Sequence, residues 1–232
     1  MNAAVVTARK GSKDKNVWPV LGTPIVAYPI NAAWGCSKIN EVHVSTDSES
    51  VAKVARGLMA GVIERPAELA TDEANHGDAI VHAVGMLPNW IKNVVVLLGN
   101  SVMVEPEHIL EALKLLEKRP ELDSVMSVMA LEDIHPTRSH TIDIFGHLGM
   151  YLDTDGPVST NRQDYVPTYA FDGRLWAFRK EVASRVGSIK PWFWMGNKCA
   201  PLILPFPPVR DVHDRREIEI SEMWLRRNYG IE

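Results

Sequence analysis

Between Ala8 and Asn16 the chain reads A-R-K-G-S-K-D-K-N, which gathers Arg9, Lys10, Lys13 and Lys15 around Gly11 and Ser12. Gly11 permits a tight turn, Ser12 offers a hydroxyl, and the cations add charge. Such a loop suits a polyphosphate, whose negative charge is shared between backbone N–H groups and side-chain cations. It is neither a Walker A loop nor a G-x-G-x-x-G fingerprint, because the spacing of both is absent. The plain alternative is a solvated basic turn. Its position directly after an apolar run, Ala3–Ala8, favours the binding reading.

Two further segments carry polar groups at the ends of apolar runs. After Asn93–Leu98 come Gly99, Asn100 and Ser101. Gly99 would let the backbone approach a ligand, and Asn100 and Ser101 can donate and accept hydrogen bonds. Near the end, Asp211, His213 and Asp214 follow another apolar stretch. His76 lies near the expected pocket, where it can hydrogen-bond substrate, although a lone histidine is more often structural. The group Trp192-Phe193-Trp194 is more apolar than a free loop should be, which predicts packing against a core or a second subunit.

The elements that would position these residues alternate along the first part of the chain. Ala3–Ala8, Glu41–Ser45, Val62–Ile63, Asn93–Leu98 and Ser124–Met129 read as strands. Helices are expected from Thr23-Pro24 to Ala33, Glu49 to Met59, Asp78 to Leu87 and Glu105 to Lys118, the last with Ile109, Leu110, Leu113 and Leu116 at helical spacing. The continuous run Asn93–Leu98 expects burial on both faces, as in a parallel sheet. Alternation of this kind predicts an α/β fold, Rossmann-like and doubly wound with a mostly parallel sheet. Residues 131–165 break the pattern and read as a small β-rich insertion or dimerisation arm. Leu175–Phe178 and Leu202–Leu204 look like returning strands. Asp214 with Glu217 forms a capping box for a last helix, Arg216 to Asn228. No linker or internal repeat divides residues 1–232, so one domain is expected.

Of 232 residues, 46% are hydrophobic and 23% charged, and the formal net charge is -4. That is a globular composition, and it argues against nucleic acid, which needs clustered positive charge. The only two cysteines, Cys36 and Cys199, offer neither a disulfide framework nor a zinc site and read as reduced thiols. The apolar start Met1–Ala8 is too short for a signal peptide, and no membrane-length run follows. A cytoplasmic protein with no membrane partner is expected.

Taken together the motifs resemble the acylneuraminate cytidylyltransferase family, which includes CMP-sialic acid synthetases and folds as a nucleotide-diphospho-sugar transferase. The family's opening A-R-G-G-S-K…K-N…G-x-P is matched by Arg9, Gly11, Ser12, Lys13, Lys15, Asn16 and Gly22-Thr23-Pro24, with a shorter loop between. Glu64–Asp72, E-R-P-A-E-L-A-T-D, is similar to the family's R-P-x-x-L-A-x-D. Arg162-Gln163, Pro167, Tyr169 and Gly173 follow its R-Q…P…Y…G order, and R-D-V-H-D…S-E parallels its tail.

The resemblance implies attack of a sugar hydroxyl on the α-phosphorus of CTP, with release of pyrophosphate and formation of a CMP-sugar of a sialic-acid-like nonulosonic acid. It implies that Arg9 and Lys15 hold the triphosphate, with Gly11 and Ser12, while Asn16 and the backbone at Arg65 and Ala70 face base and ribose. It also implies Mg2+ at Asp211, and a homodimer in which an arm, here 131–165, approaches the partner's site. Arg138 and Arg162 suit a sugar carboxylate, and Asn100, Ser101, Gln163 and Tyr169 complete the expected sugar contacts. Two departures stand out. His213 replaces the second aspartate of the family's D-x-D, and Gly99-Asn100-Ser101 replaces its Q-P-T-S. They keep two alternatives open: a sugar-phosphate nucleotidyltransferase using another triphosphate such as GTP, or a nucleotide-binding homologue without turnover.

Overall fold

A computed structural model describes residues 1–11, 13–131, 134–152, 158–184 and 187–230. Ser12, one of the expected phosphate contacts, lies outside them, as does the side chain of Arg162. The chain forms strand β1 (Asn2–Thr7), the two-residue strands β2 (Pro19–Val20) and β3 (Thr23–Pro24), and helix α1 (Ala27–Gly35). Then come β4 (Glu41–Thr46), α2 (Glu49–Gly57), β5 (Gly61–Glu64), α3 (His76–Gly85), β6 (Asn93–Leu98), α4 (Pro106–Lys118) and β7 (Ser124–Ala130). The remainder is β8 (His140–Ile142), β9 (Leu148–Met150), β10 (Tyr169–Arg179), β11 (Cys199–Ile203) and α5 (Arg215–Tyr229).

Seven strands form the main sheet in the order β11-β7-β10-β6-β1-β4-β5. All pairings are parallel except those of β10, which runs antiparallel to both β6 and β7. Alternation in the two central strands accounts for helices on both faces. Ala4, Val6, Val95 and Leu97 face the layer of α1, α2 and α4. Ala3, Val5, Val94 and Val96 face α3 and the segment around Trp194 and Met195. The run Val94–Leu97 is fully buried, and each such side chain contributes about 1.5–3 kcal/mol relative to exposure. Trp192-Phe193-Trp194 thus packs against the core, as its composition suggested.

The helix expected to open at Thr23-Pro24 begins later. Thr23 pairs with Val20 and Pro24 with Pro19 across a two-residue turn at Leu21-Gly22. The Glu222 side chain of α5 accepts from the Leu21 N–H at 2.9 Å, and Val26 N–H donates to the Asn16 carbonyl at 2.9 Å. A tertiary partner therefore turns this stretch into a hairpin that lies over Asn16. The last helix carries its expected capping box, with Asp214 accepting from Glu217 N–H at 3.0 Å, a feature that adds about 1 kcal/mol.

Residues 131–165 include the hairpin β8–β9, paired from His140↔Met150 to Ile142↔Leu148. It stands off the sheet, and Ile142, Ile144, Phe145 and Leu148 are all more than 70% exposed. Both cysteines are free thiols.

Where β1 and β6 end side by side, Gly99 N–H donates to the Thr7 carbonyl at 2.9 Å. A Cβ built on Gly99 would lie 2.6 Å from the Ala8 Cβ and 2.9 Å from the Thr7 carbonyl oxygen. The glycine is therefore required by strand packing, a constraint the sequence reading did not foresee. Gly99→Ala should accordingly lower stability by about 1–3 kcal/mol, read as a reduced urea midpoint at unchanged slope. An unchanged or raised midpoint, the outcome for a glycine with open space around it, would refute this account.

Candidate active site

The register brings Thr7, Leu98 and Ser45 level with one another, and Thr46 level with Glu64. The segments that follow β1, β5 and β6 therefore open on one edge, beyond the carboxyl ends of parallel strands. A cleft of ≈ 340 Å³ lies there, and its lining includes Arg9, Gly11, Lys15, Asn16, Arg65 and Asn100. Six residues singled out in the sequence, spread over more than ninety positions, thus share one cavity.

Each is fixed by a specific contact. Gly11 has φ +57°, a left-handed conformation that costs glycine little. Asn16 is buried, and its side-chain amide donates to the Arg9 carbonyl at 2.7 Å. The Arg9 guanidinium pairs with Asp72 at 2.7 Å and donates to the carbonyls of Thr71 and Ala70. The backbone of Ala70, expected to face base and ribose, here accepts from Arg9, and Ala70 lines a neighbouring pocket rather than this cleft. Arg65 is buried and donates to the Ser45 carbonyl at 3.0 Å and the Ser45 hydroxyl at 3.3 Å. Burial lowers the pKa of its guanidinium, opposed by Asp47 and reinforced by Arg9.

On the opposite wall, Lys15 Nζ lies 3.2 Å from His213 Nδ1, and His213 Nε2 lies 2.6 Å from the Asp211 carboxylate. An ammonium can only donate, so Nδ1 accepts and Nε2 carries the hydrogen given to Asp211. Asn100 donates to the same carboxylate at 3.3 Å and to the Val212 carbonyl at 3.2 Å. Asp211 therefore stands directly behind two lining residues. Among the described residues no three His, Cys, Asp or Glu side chains converge as a metal cage. One carboxylate oxygen donor beside a cationic cleft fits an ion that brings most of its ligands as phosphate oxygens and water, as magnesium does.

The other expected sugar contacts lie elsewhere. Ser101 is fully buried, and its hydroxyl has no hydrogen-bond partner among the described residues. Arg138 sits exposed in a 3-10 turn, Pro136–Arg138, and Gln163 is exposed in another, Arg162–Asp164. Tyr169 opens β10 opposite Ala130 and is 47% exposed. None of these lines the cleft.

Conversely, Thr7, Thr71 and Asp72 line it without having been assigned a role, and His76, expected near the pocket, lines it too. Thr7 could have been flagged as the last residue of the first strand. His76 Nε2 lies 3.0 Å from the Thr7 hydroxyl, and burial, with Arg65 and Arg9 nearby, pushes its pKa down to about 4. A larger cavity of ≈ 630 Å³ occupies the opposite end of the sheet, beside Asn93 and Lys180. Two of its three cations are committed to backbone: Lys180 donates to the Leu87 and Pro88 carbonyls, and Arg179 to those of Leu116, Pro120 and Leu122. The cationic cleft at the carboxyl edge is the better candidate for an anionic substrate.

A 34% identical match over 128 residues links the chain to N-acylneuraminate cytidylyltransferase of Escherichia coli O18:K1:H7, covering 54% of this chain and 30% of that one. A second match, 24% identical over 228 residues, is to the Helicobacter pylori pseudaminic acid cytidylyltransferase and UDP-2,4-diacetamido-2,4,6-trideoxy-beta-L-altropyranose hydrolase, covering 96% of this chain and 42% of that one. The chain thus spans less than half the length of these curated relatives. Among solved structures, CMP:2-keto-3-deoxy-manno-octonic acid synthetase complexed with CTP superposes with a TM-score of 0.74 at 16% identity, covering 97% of this chain and 98% of that one. At that identity the likeness speaks for the fold. The cytidylyltransferase family model matches residues 3–142, more than half of the chain and a stretch that holds every cleft-lining residue but His213, and the protein belongs to the cytidylyltransferase family.

Proposed function

We propose that the chain transfers CMP from CTP to a hydroxyl of a sialic-acid-like nonulosonic acid and releases pyrophosphate. The observation that carries this reading is the convergence of Arg9, Gly11, Lys15, Asn16 and Arg65 on one cleft at the carboxyl edge of the sheet. The names of the relatives support the substrate class.

In the transfer, the sugar oxygen forms a bond to the α-phosphorus, the bond from that phosphorus to the bridging oxygen of pyrophosphate breaks, and the hydroxyl proton is lost to solvent. Such a displacement depends on positioning and charge neutralisation more than on covalent help from the protein. Arg9 and Lys15 are already oriented by partners that a phosphate can replace: Asp72 for Arg9, and His213 for Lys15. Asn16 and the backbone near Arg65 and Ala70 would hold base and ribose. Magnesium carried by the triphosphate, with Asp211 as its protein ligand, would screen charge on the reacting phosphate oxygens. Asn100, at the rim beside Asp211, is placed to meet the sugar acid.

Because Arg138, Gln163 and Tyr169 do not line their own cleft, the reading places the 131–165 arm at the cleft of a second copy. The arm offers protruding Ile144 and Phe145. An apolar recess of ≈ 430 Å³, lined by Leu131, Ile134, Ile203 and Phe206 among others, offers a counterpart surface. A reciprocal exchange between two copies would cover both.

Four measurements test this reading. Pyrophosphate release should require CTP, magnesium and a nonulosonic acid. Arg9→Ala should lower kcat/KM on the order of a hundredfold or more, with little change in Tm because its partner Asp72 is 81% exposed. Loss of folding with specific activity retained would instead make Arg9 structural. For Asp211→Asn, the magnesium concentration giving half-maximal rate should rise; a superimposable titration would remove Asp211 from the metal. In sedimentation at micromolar concentration the chain should run as a dimer, and Ile144→Asp with Phe145→Asp as a monomer that still binds CTP. A monomeric wild type would overturn the arm's role.

A further inference from the structure

Asp211 and His213 lie on the stretch 204–214, which joins β11 to α5 and forms no helix or strand. Such a stretch holds one shape only where the surrounding scaffold anchors it. One anchor is Asn100, whose carbonyl accepts from Val212 N–H at 2.9 Å and whose side chain reaches the Val212 carbonyl and the Asp211 carboxylate. The other is β10. Its pairing with β7 shifts register between Phe171 and Trp176, so Asp172, Gly173 and Arg174 leave the regular ladder there.

Both charged residues of this bulge are buried. The Asp172 carboxylate accepts from the Ser127 hydroxyl at 2.6 Å and from the Arg174 N–H at 3.0 Å. Its second oxygen lies 3.2 Å from the Arg174 guanidinium, close enough for charge pairing but without the alignment of a hydrogen bond. The free arm of that guanidinium donates to the Pro205 carbonyl at 2.8 Å. Gly173 has φ +87°, and a Cβ built on it would lie 2.7 Å from the Arg210 carbonyl oxygen. The residue before Asp211 is therefore packed directly on the bulge, at a position that only glycine fills without strain. A buried ion pair with poorly aligned hydrogen bonds is often no more stabilising than apolar side chains of similar volume. What this one adds is direction: a donor aimed at Pro205, beside backbone left bare for Arg210.

We infer that Asp172, Gly173 and Arg174 are positioning residues for the transfer: they fix the 204–210 backbone so that Asp211 is held at the rim of the cleft, where it meets the magnesium of the bound triphosphate. None of the three lines the cleft, and they act through Pro205 and Arg210. The inference rests on the metal role proposed for Asp211.

The test is the gain in CTP affinity that magnesium confers, read by calorimetry with magnesium and with EDTA, while thermal unfolding checks the fold. Two variants probe the bulge. Gly173→Ala sets a Cβ against Arg210. Asp172→Asn with Arg174→Met removes both charges together, so no buried carboxylate is left unpaired. In each the magnesium gain should fall to that of Asp211→Asn, a loss on the order of tenfold, with the EDTA affinity as in wild type. Adding Asp211→Asn should then cause no further loss, because both changes remove the same contact. If Gly173→Ala unfolds, the double variant decides alone. A full magnesium gain in the folded double variant, or an equal loss with and without magnesium, would make the bulge merely structural and overturn the inference. Unfolding of both variants, or a further loss on adding Asp211→Asn, would do the same. Should Asp211→Asn alone keep the full gain, or wild type show none, the metal assignment fails and this inference with it; a wild type that does not bind CTP fails the proposed function itself.

Discussion

The rest of the molecule depends on the double-sided burial of β1 and β6. Their side chains alternate between two apolar layers, so neither strand can slip by one residue without turning its whole buried set onto the wrong layer. That locks the register, and the register sets where the strands end. Thr7 and Leu98 come level, Ala8 presses into the space that Gly99 leaves open, and the following loops start from one edge. The geometry of the cleft is thus inherited from the core beneath it.

The cleft itself is a set of cations held ready by internal partners. Arg9 spans to Asp72 and the Ala70–Thr71 backbone, tying the first loop to the segment after β5. Lys15 reaches across to His213, which is anchored on Asp211, itself tied to Asn100. These contacts order long side chains before a ligand arrives, which reduces the entropy lost on binding. They are also exposed enough to exchange, since exposed ion pairs contribute little to stability. At the opposite end of the sheet, similar cations are tied to backbone carbonyls and serve packing instead. Comparable residue types therefore do different work at the two ends, and their partners decide which.

The departure from the family's aspartate pair acquires a physical meaning in this arrangement. His213 does not stand as a second oxygen donor; its imidazole links the Lys15 ammonium to the Asp211 carboxylate through a single tautomer. The wall opposite Arg9 thus carries one carboxylate and a cation, where the family pattern would carry two carboxylates. The exposed hairpin and the apolar recess beside β11 concentrate unburied hydrophobic surface on one part of the chain, unlike the evenly polar exterior expected of a surface with no partner.

The sequence by itself determined the local order of the fold. Caps and helical spacing marked all five helices, with α1 opening later than expected, and the apolar runs placed the strands of the main sheet, because burial on one or two faces leaves a mark within a few residues. It also marked the Arg9–Asn16 loop and Asn100, since charge or amide groups at strand ends stand out against an apolar background, and Arg65 through the resemblance of Glu64–Asp72 to a family motif. Tertiary structure alone decided the rest. Thr23-Pro24 became a hairpin because Glu222, some two hundred positions away, holds its turn. Gly99 proved to be a packing glycine because of Ala8, and Ser101 turned inward. His213 met Lys15, and His76 met Thr7, across 198 and 69 positions. Side-chain chemistry is written residue by residue, but which groups face one another is set only when the sheet brings distant strand ends together.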